Sequence, residues 1–279
     1  VTEKIVVGVT SVPVGDRVVR WAADRAAASG AAVELITVVG GAVGAVGEDS
    51  VAQAAHDAAA EALASRAARM REAGIEVTTR VERGNPVAVL VDASEGAGLL
   101  VIGSDYRGPE SGTVRGAHGI RISAAAHCPV VVVPDIDIAG RTGVVVGTDG
   151  SEVSAGAVRF AAAEAVRLGE PLVAVSVWTP MPIPGPISGY PEPYLDDMQD
   201  VTAEILRTAL ADVRAAHPDL QITEHVECGY PSAIINELAQ TARLAVVGSH
   251  GRGAFARLLL GSISHEVLAR VATVTAIVR

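Results

Sequence analysis

Gly248, Gly251 and Gly261 precede Ser262 and Ser264 in the run LAVVGSHGRGAFARLLLGSIS, residues 244–264. Glycines ahead of a helix let backbone N–H groups approach an anion with no Cβ in the way. The unpaired N–H groups and the helix dipole favour negative charge there, and the two serine hydroxyls add hydrogen bonds. The chemistry on offer is a phosphate cradle. The same letters also fit a buried strand, a flexible turn and a Ser-capped helix, so the rest of the chain has to decide.

The elements that must position such a cradle are legible around it. Residues 244–247 are an apolar run of strand type. Ile263, Val267, Leu268 and Val271 share one face of a helix that starts beside Gly261 and Ser262. Composition agrees: 49% of the 279 residues are hydrophobic but only 3% aromatic, so the core is built from Val, Ala, Leu and Ile. That suits β-branched parallel strands under Ala-rich helices, and the length suits two domains.

The net charge of −10 comes with no block of like charges, which excludes a nucleic-acid or anionic-membrane surface. No signal peptide precedes the first strand and no apolar run approaches a membrane span, so a cytoplasmic protein is expected. Cys128 and Cys228 lack metal-type spacing and are expected as buried, reduced thiols. Lys4 is the only lysine, so no Walker-type GxxxxGK[ST] loop exists. A phosphate site here must use backbone, hydroxyls or arginine.

The chain repeats itself. KIVVGVTS at residues 4–11 matches GVVVGTDG at 143–150, VERGNPVAVL from Val81 matches VECGYPSAII from Val226, and LLVIGSDYRG from Leu99 matches LAVVGSHGRG from Leu244. The offset is 139 residues for the first pair and 145 for the others, which places a longer loop in the second copy. Strands are predicted near 4–9, 32–38, 76–81, 99–103 and 130–133, and near 143–148, 172–178, 221–228, 244–248 and 274–278. Helices are predicted near 16–28, 50–73, 86–95 and 117–126, and near 154–167, 196–216, 231–241 and 262–272, with Gly30 and Gly74 as stops and Pro86 at a start. Alternating strands and helices imply two tandem, doubly wound, five-stranded parallel-sheet α/β domains of Rossmann-like type, with ligands at the carboxyl ends of the strands.

The boundary falls in the polar linker PDIDIAGR at 134–141, dividing the chain into 1–135 and 136–279. Residues 179–194 hold six of the fourteen prolines and are expected to sample extended conformations. That segment is a solvated connector in one reading and a lid or partner-binding segment in the other.

VGTDGS after a first strand, GxP before a later helix, and G-x2-G-x9-G-S after a fourth strand together resemble the universal stress protein family, in both halves of the chain. The resemblance implies an adenine-nucleotide α-hydrolase-like fold and ATP binding, with Mg2+, in the second copy. It places Asp149 on the adenosine portion, the Val177 backbone on adenine, Val247 and Gly248 on the floor, and Gly251, Gly261, Ser262, Ile263 and Ser264 on the phosphates. Arg252 is adjacent and in reach of a terminal phosphate; an exposed loop arginine is the other reading. Asp149 itself also fits a helix cap or turn. The last strands, 130–133 and 274–278, are implied to pair within the chain, and a homodimer of whole chains is compatible with that.

The first copy departs from the motif: Thr10 stands for Asp149, Val9 for Thr148, Tyr106 for Gly251 and Ala117 for Ser262. It is therefore expected to bind ATP far more weakly or not at all. Gly251-Arg-Gly-Ala-Phe-Ala256 fits GxGxxA only superficially, because it follows a fourth strand. No GxSxG or HExxH occurs, and no catalytic residue or metal site is assigned; His250 lies in the cradle loop with no nearby paired acid, and His265 lies in the following helix. A regulatory stress-response protein without enzymatic activity, at most a slow ATPase, is the expectation. A cyclic-AMP or other adenine-nucleotide sensor and a nucleotide-independent interaction module are the alternatives.

Overall fold

A computed structural model describes residues 3–10, 14–40, 48–104, 117–180, 189–251 and 259–279. The chain divides into two compact units, Val1–Asp137 and Ile138–Arg279. The first runs β1 (Lys4–Gly8), α1 (Val14–Ser29), β2 (Ala32–Val39), α2 (Glu48–Glu72), β3 (Val77–Arg83), α3 (Pro86–Ala93), β4 (Leu99–Ser104), α4 (Ala117–Ala125) and β5 (Val130–Pro134). The second runs β6 (Val144–Gly147), α5 (Glu152–Leu168), β7 (Leu172–Trp178), α6 (Glu192–Ala216), β8 (Ile222–Cys228), α7 (Pro231–Ala239), β9 (Leu244–Gly248), α8 (Ser262–Arg270) and β10 (Val274–Val278).

Each unit is a five-stranded sheet with only parallel pairings, as the alternation of elements predicts. The strand order is β3-β2-β1-β4-β5 in the first. It is β8-β7-β6-β9-β10 in the second. Strands β1, β5, β9 and β10 are almost wholly buried, because helices cover both faces and leave no polar side for alternation. The outer strand β8 is largely exposed. Its last residue, Cys228, is accordingly an exposed thiol, contrary to the buried one expected, whereas Cys128 is buried.

Local chemistry explains most helix ends. Gly30 and Gly74 take φ of +70° and +80°, the left-handed region that ends a helix without strain on a Cβ. Helix α6 begins at Glu192, earlier than the expected residue 196. Pro191 and Pro193 occupy its cap and first turn, where the absent N–H has no helical partner to lose, and the Pro191 carbonyl accepts from Tyr194 and Leu195. Residues 181–188 of the proline-rich segment lie outside the described residues. Helix α8 stops at Arg270, earlier than the expected 272, because Val271 adopts φ +38° while its N–H still donates to the Val267 carbonyl. A β-branched residue pays for that conformation; Val271 is only 2% exposed, and its burial holds it there.

Among the described residues no helix is long and apolar enough to cross a membrane. The 25-residue α6 buries Thr202, Leu206, Leu210 and Val213, spaced three or four apart along one face. Leu206→Ala is expected to destabilise the second unit by about 2–5 kcal/mol through loss of a fully buried side chain. Val201→Ala, at a residue 55% exposed, should stay within about 0.5 kcal/mol. Urea midpoints of the two variants check both values.

Candidate functional site

Strands β6 and β9 are parallel neighbours at the centre of the second unit. From β6 the chain winds outward through β7 to β8; from β9 it winds the other way to β10. Right-handed crossovers then put α5 with α6 on one face and α7 with α8 on the other. A crevice opens where the two directions part, at the carboxyl ends of the strands.

A cavity of about 450 Å3 lies there, within the range of small-ligand sites. Asp149 enters it from the end of β6, Val177 from β7, and Val247 with Gly248 from β9. Gly251 lines it from the following loop, and Gly261, Ser262, Ile263 and Ser264 from the start of α8. Nine of the ten expected residues thus share one cavity, and the tenth, Arg252, lies outside the described residues. Thr148, Ser154, Pro231, Ile235 and His250 also line it and were not assigned from the sequence.

The α8 entrance is not Ser-capped. Its cap position is Gly261, and no side chain caps the helix. Gly261 has an ordinary φ of −60°, so its value is room: a Cβ would lie 3.2 Å from the His250 Cα. Its N–H donates to the Ser249 carbonyl at 2.8 Å, while the Ser249 N–H donates to the Val278 carbonyl at 2.6 Å. These bonds anchor the loop ends. The N–H groups of Ser262, Ile263 and Ser264 belong to the first turn, which has no intrahelical acceptors, and all three residues line the cavity. The Ser264 hydroxyl is differently employed: it donates to the Gly248 carbonyl at 2.5 Å and bolts α8 to β9. Ser262, at the exposed first position, keeps its hydroxyl at the cavity.

Asp149 sits in a tight turn after β6. Its Oδ1 accepts the Ser151 N–H at 3.0 Å, and a Cβ on Gly251 would lie 2.6 Å from its Oδ2. A side chain at 251 would therefore displace the Asp149 carboxylate. Thr148 Oγ1 donates to Ser154 Oγ at 3.0 Å and accepts the Gly150 N–H at 3.2 Å. Ser151 caps α5, accepting the Ser154 N–H at 3.2 Å. His250 Nδ1 and Ser249 Oγ are hydrogen-bonded at 2.9 Å, which fixes the ring against the loop.

Helices α7 and α8 are joined at the cavity rim. Glu266 on α8 accepts from Ser232 Oγ at 2.6 Å and from the Tyr230 hydroxyl at 3.1 Å. Tyr230 occupies the α7 cap position without capping it. The equivalent residues of the first unit are Asn85, Val87 and Arg121, and Asn85 caps α3 by itself. That contrast between copies was the readable signal for this group. The Ser232 hydrogen bond, against some desolvation, holds the Glu266 carboxyl below its ordinary value, helped by Tyr230, Arg270 and His265. The same hydrogen bond from Tyr230, and the Glu266 charge, push the phenol upward.

Fold and cavity define a doubly wound α/β module with a ligand crevice at its topological switch point. The universal stress protein family matches the chain twice, over residues 2–134 and 141–279. A universal stress protein of Mycolicibacterium smegmatis is 33% identical over 289 residues, covering 99% of this chain and 96% of its own. One from Mycobacterium tuberculosis is 33% identical over 294 residues, covering 95% and 91%. A universal stress protein structure from Archaeoglobus fulgidus superposes with a TM-score of 0.71 at 18% identity, covering 98% of this chain and 97% of that one. A functionally unknown protein from Pseudomonas aeruginosa gives 0.71 at 18%, covering 99% and 92%. The chain, with its two copies of the domain, belongs to the universal stress protein family.

The Glu266 group has a pH signature. Its lowered pKa contributes stability that is present above the ordinary carboxylate value of about 4 and is lost as pH falls through its own lower value. Glu266→Gln should make the acid limb of a melting-temperature profile shallower. The raised Tyr230 pKa contributes stability that is present below about 10 and is lost as pH rises through the raised value, so Tyr230→Phe should flatten the alkaline limb.

Proposed function

We propose that the second unit binds ATP, carried as its magnesium complex, and that binding sets a regulatory state of a stress-response protein. One observation carries this reading: a carboxylate, Asp149, and the uncapped first turn of α8 line the same cavity, with glycines wherever the backbone must come close. The carboxylate is suited to ribose hydroxyls or an adenine amine. The first-turn N–H groups of α8 and the Ser262 hydroxyl are suited to phosphate oxygens. Val177 and Val247 offer apolar walls to a base.

The residues present fit the nucleotide better than a protein-held metal. Among the described residues no three His, Cys, Asp or Glu converge on a metal position. Magnesium would arrive on the phosphates, keeping most of its ligands from them and from water. We read the site as one for binding: its described lining holds one carboxylate and one imidazole, and that imidazole is tied to Ser249. A triphosphate held in the cavity changes the surface a partner meets, which is a physical route from occupancy to signalling. In the first unit Thr10 and Ala117 replace the carboxylate and the hydroxyl, and we assign it a structural role.

Calorimetric titration of Mg–ATP into nucleotide-stripped protein tests the reading. One site per chain is expected. Asp149→Ala should weaken it about ten- to hundredfold, as loss of hydrogen bonds to a charged group does. Gly261→Tyr should abolish it, and Thr10→Ala should leave it intact. Heat with cyclic AMP but not ATP would move the assignment to a cyclic-nucleotide sensor. No heat with either, and no nucleotide retained on purification, would overturn it in favour of a nucleotide-independent module.

A further inference from the structure

Residues 148–154 form a closed polar network that the nucleotide reading has not used. Thr148 is 7% exposed and Ser154 4%, yet both line the cavity. Their hydroxyls run in one direction: Thr148 donates to Ser154 at 3.0 Å, and Ser154 donates to the Ser151 carbonyl at 2.9 Å. The Gly150 N–H closes back onto Thr148. The turn bearing Asp149 is thus held at Gly150 and at Ser151, on either side of the peptide unit whose N–H binds the Asp149 carboxylate.

The first unit carries neither hydroxyl at the corresponding positions. Val9 stands at the Thr148 position and Gly15 at the Ser154 position. There the Thr10 carbonyl oxygen lies where a Cβ on Gly15 would be, so the backbone occupies the space that the Ser154 side chain fills in the second unit. At two strand ends the two units pack alike. A Cβ on Gly8 would meet Leu90, as one on Gly147 meets the equivalent Ile235; a Cβ on Gly103 would meet Val14, as one on Gly248 meets the equivalent Val153. Those contacts are shared; the residues at the Thr148 and Ser154 positions are not.

We infer that Thr148 and Ser154 are positioning residues: Ser154 props the turn outward, and Thr148 locks it, so that residue 149 faces the cavity and reads the adenosine end of the nucleotide. The inference rests on the ATP reading. It separates the site into two independently held halves, a hydroxyl-propped turn for the nucleoside and the α8 entrance for the phosphates.

The test titrates wild type, Thr148→Val, Thr148→Ser and Ser154→Gly with adenosine and, separately, with magnesium tripolyphosphate. Amide exchange of Gly150 in the unliganded proteins is followed alongside. Thr148→Val and Ser154→Gly should weaken adenosine at least about tenfold, and tripolyphosphate less than about twofold, since only one half loses its hydrogen bonds. Gly150 exchange should accelerate at least about tenfold in Thr148→Val, whose valine has no acceptor for that N–H. Thr148→Ser should restore adenosine binding and slow exchange. Wild-type binding with unchanged adenosine affinity in the variants would overturn the positioning role. So would a parallel loss of both ligands, which marks general damage. Wild-type protein that takes up neither ligand would fail the nucleotide reading itself, and the positioning role with it.

Discussion

The second unit depends on the parting of the chain between β6 and β9. Two parallel strands lie side by side, yet their connections leave in opposite directions and on opposite faces. The crevice lies where the two connections part, at the strand ends, while the strands beneath are buried on both sides. Everything polar at the site hangs from those two ends: the Asp149 turn from β6, and the loop leading to α8 from β9. The loop is secured to the strands by the Ser249 N–H on Val278 and the Ser264 hydroxyl on Gly248.

Close approach is the second constraint. The Asp149 turn and the Gly251 backbone come within the distance of a single side-chain carbon, and so do Gly261 and His250. Glycine at 251 and 261 thus spares Asp149 and His250 a close contact as well as leaving room for the phosphates assigned to the site. A larger residue at either place meets protein before it meets a ligand.

Electrostatics orients the same region. Helix α8 presents an uncapped N-terminus to the cavity, a local positive potential from unpaired N–H groups. Four residues on from Ser262, Glu266 turns aside to Ser232 and Tyr230 at the N-terminus of α7. There its negative charge complements the dipole of α7, whose cap position supplies no side-chain hydrogen bond. The first unit, with Asn85 capping α3 and Arg121 in place of Glu266, joins its corresponding helices differently.

The sequence alone determined the duplication and the order of strands and helices, which rest on local letters; the nine residues that share one cavity were named through the family resemblance that its motifs carry. Apolar runs make strands, periodic alanine and leucine make helices, and the spacing G-x2-G-x9-G-S marks a loop and a helix entrance. Tertiary structure decided what those letters do to one another. It tied the Ser264 hydroxyl to Gly248, set Gly251 against Asp149, exposed Cys228 on an outer strand, and extended α6 back to Glu192. It also brought Thr148 to Ser154, and Glu266 to Ser232 across 34 residues. Hydrogen bonds between side chains depend on distances that sequence spacing does not encode. For that reason the cavity's residues could be read in advance, and the network holding them could not.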